Sequence, residues 1–297
     1  MSLVPMKSCL SEAEGRGYAV GAFNVTSMDS LMAIADAAVE AHAPVFFAVC
    51  EVHFPHFRFD ALLDAVRGVA ESMPVPAVMH LDHGYTFPAL VKAIRAGFNS
   101  VMFDGSALPF EENIARTRQI VDVAHAVGVQ VEAELGNIGG AEGAGPGTGV
   151  LLTDPDKAVE FVERTECDTL AVAIGTAHGV YKSKPQLDFD RLAVMRRKVP
   201  VPLVLHGGTG VPDDDIRHCI ALGISKINVY TQLNLWAAEV TRERFTKEPG
   251  FADIPQLLLD IQGRMKAGVM ECMKLFGCAG QAASQTCMGP LGPSIEE

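Results

Sequence analysis

Eight short apolar runs, each followed by a stretch of helical periodicity, recur about every 25 to 30 residues along this chain. That alternation constrains the fold more than any composition could, because parallel strands need a long crossover and a helix is the usual one. The runs are residues 18–25, 45–49, 77–81, 100–104, 130–134, 169–174, 203–205 and 226–229. Helices are expected from an N-cap at Thr26 or Ser27 to residue 42, then over 59–72, 87–96, 111–127, 154–165, 190–197 and 212–222. A short polar helix over residues 6–14 precedes them, and two more helices extend from beyond Trp236 to residue 276. The pattern predicts an α/β fold, a (β/α)8 TIM barrel with extra C-terminal helices. Residues 1–278 then form a single barrel domain and residues 279–297 a loose tail. A doubly wound open sheet is the alternative. The barrel is preferred because no Gly-x-Gly-x-x-Gly follows the first strand and polar groups end most strands.

Three of the strands end in His-Gly. The third runs into His80-Leu81-Asp82-His83-Gly84, the sixth into His178-Gly179, and the seventh into His206-Gly207-Gly208-Thr209-Gly210. In a parallel barrel these ends share one face, so His83, His178 and His206 can converge on one metal ion beside the Asp82 carboxylate. Three neutral imidazoles leave Zn2+ its full charge and an open position, the catalytic arrangement. The plain alternative for any one of them is a structural hydrogen bond at a strand end. His80, two before Asp82 on an extended strand, reads as a supporting or core residue. Gly207 to Gly210 and Asn228-Val229-Tyr230-Thr231 follow the seventh and eighth strands, where barrels often hold a phosphate on backbone N–H groups and a helix N-terminus. Tight turns alone are the competing reading.

Residues 136–149 hold seven glycines with Glu142 near the middle. A loop of this length is either a lid, which could carry Glu142 in as a proton-transfer base, or a solvated segment. The net charge of -12 argues against nucleic acid or an anionic membrane as partner. Seven scattered cysteines without a Cys-x-x-Cys pair indicate neither a disulfide framework nor a thiolate zinc site, and no window is apolar enough to span a membrane. A cytoplasmic protein is expected.

Taken together, Gly21-Ala22-Phe23-Asn24, His80 to Gly84, Glu132-Ala133-Glu134-Leu135-Gly136, Gly139-Gly140, Gly175 to Gly179, His206 to Thr209 and Asn228 to Thr231 resemble the class II, zinc-dependent ketose-bisphosphate aldolases, in that family's order. The resemblance implies that His83, His178 and His206 bind Zn2+, with Glu134 as an alternate ligand or nearby carboxylate. It makes Asp82 the acid-base residue at the substrate C4 oxygen and Glu142 the base at C3. Asn24, Gly179, Lys182, Gly207, Gly208, Thr209, Asn228, Val229, Tyr230 and Thr231 would hold the dihydroxyacetone phosphate portion, and a monovalent cation, Na+ or K+, often accompanies that site in relatives. The implied reaction cleaves or forms the C3–C4 bond of a ketose phosphate, giving dihydroxyacetone phosphate and an aldehyde. Relatives are commonly homodimers or homotetramers, so one of these is expected.

The departures from the pattern lie toward the distal end of the substrate. Cys50-Glu51-Val52-His53 stands where relatives carry a small hydroxyl residue, and Gln262 falls near the place of an arginine that relatives direct at the distal phosphate. Losing a bidentate clamp should weaken a bisphosphate selectively. Two rival readings remain open: a zinc hydrolase on the same barrel and a non-catalytic sugar-phosphate binder.

Overall fold

A computed structural model describes residues 2–56, 58–139, 151–181 and 183–282. Its strands are β1 Val20–Asn24, β2 Val45–Cys50, β3 Ala77–Gly84, β4 Ser100–Phe103, β5 Gln130–Leu135, β6 Thr169–Val172, β7 Leu203–Leu205 and β8 Ile224–Val229. Each pairs in parallel with the next and β8 closes onto β1, Val20 standing beside Lys226 and Ala22 beside Asn228. Closure leaves no free edge, and almost every strand residue is buried, one set facing the helices and the alternate set the barrel axis. Met102, Ala171 and Val204 form a small apolar pad inside the barrel. The larger core lies between the sheet and the surrounding helices.

Helix α1 is Met6–Arg16, and the connecting helices are α2 Met28–Glu40, α3 Phe59–Ser72, α4 Phe87–Arg95, α5 Phe110–His125, α6 Pro155–Thr165, α7 Phe189–Lys198 and α8 Asp213–Ala221. Local signals set their ends. Ser27 accepts from the Ser30 N–H in a capping box, Thr86 caps α4, and Asp154 accepts from the N–H groups of Asp156 and Lys157. Two further helices, α9 Thr231–Lys247 and α10 Ile254–Leu275, complete the chain of elements, α10 packing on α2 and α9. Past α10, Gly280 N–H donates to Ala41 O at 2.8 Å and Ala282 N–H to His42 O at 2.9 Å. The rest of the expected tail, from residue 283, lies outside the described residues. Among the described residues no helix is long and apolar enough to cross a membrane.

Two departures from the sequence expectation bear on the site. Strand β3 runs three residues past the expected 81, and its pairing with β4 shifts register between Leu81 and Gly84. His83 sits in that irregularity at φ +43°, a left-handed conformation costly for a non-glycine residue and typical of functional positions. The segment after β2 that departs from the family pattern is a 3-10 helix over Glu51–His56. There the Glu51 carboxylate accepts from the N–H groups of Tyr85 (2.6 Å) and Thr86 (3.1 Å) and from the Thr86 hydroxyl (2.7 Å). Glu51 therefore faces the positive end of α4, and its carboxylate is occupied there.

Candidate active site

The C-terminal ends of β3, β6 and β7 bring the three predicted histidines together. The rings of His83 and His178 lie 4.9 Å apart, those of His83 and His206 4.7 Å, and those of His178 and His206 5.9 Å. Nitrogens from all three fall within 4.8 Å of one another, against about 3.4 Å for ligands at tetrahedral angles around one zinc ion. Hydrogen bonds choose which nitrogen faces the centre. His83 Nδ1 donates to Asp104 Oδ2 at 2.9 Å, so Nε2 turns inward. His206 Nε2 donates to Glu132 Oε1 at 2.9 Å, so Nδ1 turns inward, 3.0 Å from His83 Nε2. His178 Nδ1 points at Gly139 O, 3.3 Å away, and its Nε2 is shielded from solvent with no hydrogen-bond partner. That orphaned nitrogen fits a metal ligand: a buried acceptor without a partner is costly unless a cation meets it.

Electrostatics agree. Burial, reinforced by His83 and His206, pushes His178 down to about 3, and burial also lowers His206, so both rings are neutral and ligand-competent. His83 behaves differently. Burial opposes its charge, yet Asp82 and the hydrogen-bonded Asp104 push it up to about 10. Positive charge is thus favoured at the point where the three rings meet, and a metal ion would replace that proton.

Asp82 lies beside the cluster, 4.0 Å from His83 Nε2. Asn24 and Asn228, from β1 and β8, donate their amides to its two oxygens at 2.9 and 2.8 Å. Burial works against its charge, but His83 and His206 hold it below the usual carboxylate range. Glu134 is also buried, both oxygens lacking a hydrogen-bond partner, and burial with nearby Asp104 raises its pKa well above normal. It groups with His83 and Asp104 as a second set of potential ligands.

The cleft over the histidines is lined by Asn24, Asp82, Gly179, Gly207, Gly208, Thr209, Asn228, Tyr230 and Thr231. Val229 points the other way, into a neighbouring cavity of about 240 Å³, as alternation along β8 requires. Glu142 and Lys182 lie outside the described residues. The loops that carry the ligands are pinned to each other: Tyr181 Oη accepts from Ala177 N–H at 2.7 Å and donates to Gly207 O at 2.8 Å. Gly175, at φ +114°, passes so close to Gln186 that an added Cβ would lie 2.1 Å from its carbonyl oxygen. Gly175→Ala is expected to cost roughly 2 kcal/mol or more, read as a lowered denaturation midpoint.

Sequence reasoning missed Asp104, Tyr181 and Lys226, and left Glu132 without a role. A charged residue inside a barrel strand was the available signal for two of them: Glu132, buried on β5, and Lys226, on β8, are ion-paired inside the barrel at 2.8 Å. His80 is a supporting residue as expected, buried and bonded to Ser100 Oγ at 2.7 Å.

A closed eight-stranded barrel with three converging imidazoles and a fixed carboxylate at its C-terminal face has the architecture of a metal-assisted barrel enzyme. Comparison with known proteins narrows this. The family model for fructose-bisphosphate aldolase class-II matches residues 4–281. The chain is 44% identical over 286 residues to a fructose-bisphosphate aldolase of Geobacillus stearothermophilus, covering 95% of this chain and all of that protein. A Bacillus subtilis (strain 168) relative is 42% identical over 285 residues, again 95% of this chain and all of the relative. The crystal structure of the YdjI aldolase from Escherichia coli K12 superposes with a TM-score of 0.85 at 39% identity, covering 94% of this chain and 99% of that one. The chain belongs to the class II fructose-bisphosphate aldolase family, and as such is an aldolase, a carbon–carbon lyase. The family is metal-dependent and acts on sugar phosphates, as the sequence resemblance implied.

Proposed function

We propose that the enzyme reversibly cleaves the C3–C4 bond of a ketose phosphate to dihydroxyacetone phosphate and an aldehyde, with His83, His178 and His206 holding Zn2+ and Glu134 as an alternate ligand. The observation that carries this reading is the convergence of one ring nitrogen from each of the three histidines, that of His178 with no other partner, beside a carboxylate held 4.0 Å from His83 Nε2. When bound, the ion supplies the positive charge that stabilises the enediolate left as the bond breaks.

The protein's own residues do the rest. Asp82, steadied by two amides, takes the proton of the C4 hydroxyl as the aldehyde leaves. The Oδ1 atoms of Asn24 and Asn228 are buried without partners and are left to accept substrate hydroxyls. Gly179, the backbone of Gly207 to Thr209, and Asn228, Tyr230 and Thr231 at the N-terminus of α9 bind the phosphate, while the parts of Val229, Lys182 and a Na+ or K+ ion rest on the family pattern. Glu142 moves the proton at C3, a role that rests on its place in the family pattern.

Gln262 near the place of the family's distal-phosphate arginine offers no bidentate clamp for a second phosphate, and among the described residues no lysine or arginine lines the cleft over the histidines. We therefore expect ketose 1-phosphates to be cleaved with higher kcat/KM than fructose or tagatose 1,6-bisphosphate. A clear preference for either bisphosphate would refute this. Chelator-sensitive release of dihydroxyacetone phosphate tests the reaction itself, and products derived from water would point to a hydrolase instead. The exposed Leu235, Phe245, Ile254, Leu258 and Leu259 on α9 and α10 support a homodimer or homotetramer, to be checked by sedimentation. Seven scattered cysteines with no Cys-x-x-Cys pair support a cytoplasmic location.

A further inference from the structure

Beneath the three imidazoles the barrel axis is closed by ions and not by hydrocarbon. Lys226 and Glu132 are completely buried, as is His80. Lys226 has three N–H donors and three acceptors: Glu132 Oε2 at 2.8 Å, Glu132 Oε1 at 3.0 Å and His80 Nε2 at 3.4 Å. On the His80 side the chain of donors continues in one sense, whereas on the other side it ends at the carboxylate. His80 Nδ1 donates to Ser100 Oγ at 2.7 Å, whose hydroxyl turns to Met6 Sδ at 2.9 Å. On the other side Glu132 Oε1, held by Lys226, accepts from His206 Nε2.

A buried ion pair is seldom a net source of stability, since apolar residues of the same volume do as well or better. Its use here is directional. Glu132 could rotate about its last torsion and leave His206 free to carry its proton on either nitrogen. With both oxygens bound by one ammonium group, Oε1 is presented only to Nε2, and the lone pair of His206 is confined to Nδ1, the atom that faces His83.

We infer that Lys226 is a positioning residue for the metal centre: it clamps Glu132 so that His206 keeps its proton on Nε2 and offers Nδ1 to the ion. Lys226 has no exposed surface and touches no part of the cleft, so it acts through Glu132 and His206 and not on substrate. The inference rests on the proposed three-histidine metal site, and the test separates the two.

Lys226→Met alone strands a buried carboxylate, so the informative variant is Lys226→Met with Glu132→Gln, which removes both charges and keeps an oxygen acceptor for His206. Two properties are measured against the unaltered protein. One is the dissociation constant for Zn2+ in competition with a chromophoric chelator. The other is the His206 tautomer in metal-free, 15N-histidine-labelled protein, from long-range 1H–15N correlations. The expected result is an Nε2–H tautomer in the unaltered protein, a mixture in the double variant, and Zn2+ binding weakened by about 10- to 100-fold. An unchanged tautomer overturns the inference whatever happens to affinity, and so does a changed tautomer with Zn2+ affinity within about twofold. Should the double variant fail to fold, Lys226→Gln, which keeps one donor for Glu132, is judged by the same two readouts. If the unaltered protein binds no Zn2+, the metal reading fails, while the tautomer still decides whether Lys226 sets the proton on His206.

Discussion

Replacing His178 with alanine is expected to empty the metal site and lower kcat/KM for aldol cleavage by about a thousandfold or more, while leaving the metal-free protein folded. The size follows from the several kcal/mol of charge stabilisation that a bound ion supplies, at about 1.4 kcal/mol per decade. The second half distinguishes a ligand from a structural residue. The His178 ring makes one long hydrogen bond, 3.3 Å to Gly139 O, and its other nitrogen has none, so the fold gains little from the imidazole. Its removal should shift metal-free stability by no more than about 1 kcal/mol. Metal content by mass spectrometry or atomic absorption, with a denaturation curve, checks both halves. A variant that keeps one ion per chain and full activity would remove His178 from the site.

The second large effect is expected at Asp82. Alanine there would strand the Nδ2 groups of Asn24 and Asn228, each a buried donor whose loss of a partner costs about 1–3 kcal/mol. Asp82→Asn is the cleaner test. One neighbouring amide can turn over and present its own unpartnered Oδ1, so the fold tolerates the change. The new side chain cannot take the C4 hydroxyl proton, and kcat should fall by about 100- to 10,000-fold. Metal content should stay at the unaltered level, in contrast to His178→Ala. An Asp82→Asn enzyme with unchanged kcat would show that the proton leaves by another route.

Much of the site was legible because a parallel barrel places every strand's C-terminal end on one face. A histidine before glycine at three strand ends was then enough to predict that His83, His178 and His206 meet, without knowing any distance. The fold carries those marks locally: the seventh strand falls on the expected residues, 203–205, and the capping box at Ser27 starts α2 one residue after a predicted cap. The placement of Glu51 was not legible in the same way, because an extra 3-10 turn aims its carboxylate at backbone N–H groups 34 and 35 residues further on.

The chain alone determined the number and order of strands, the spans of the helices to within a few residues and the identity of the three converging imidazoles, since periodicity and turn chemistry act over a few residues and survive in any register. Only the closed barrel decided which nitrogen each ring turns inward. Those orientations depend on Asp104, on Glu132 and on a lysine 94 residues from its carboxylate partner and 146 from its histidine. Partners so distant are selected by how strands stagger when the sheet closes, and alternation along a single strand carries no information about that stagger.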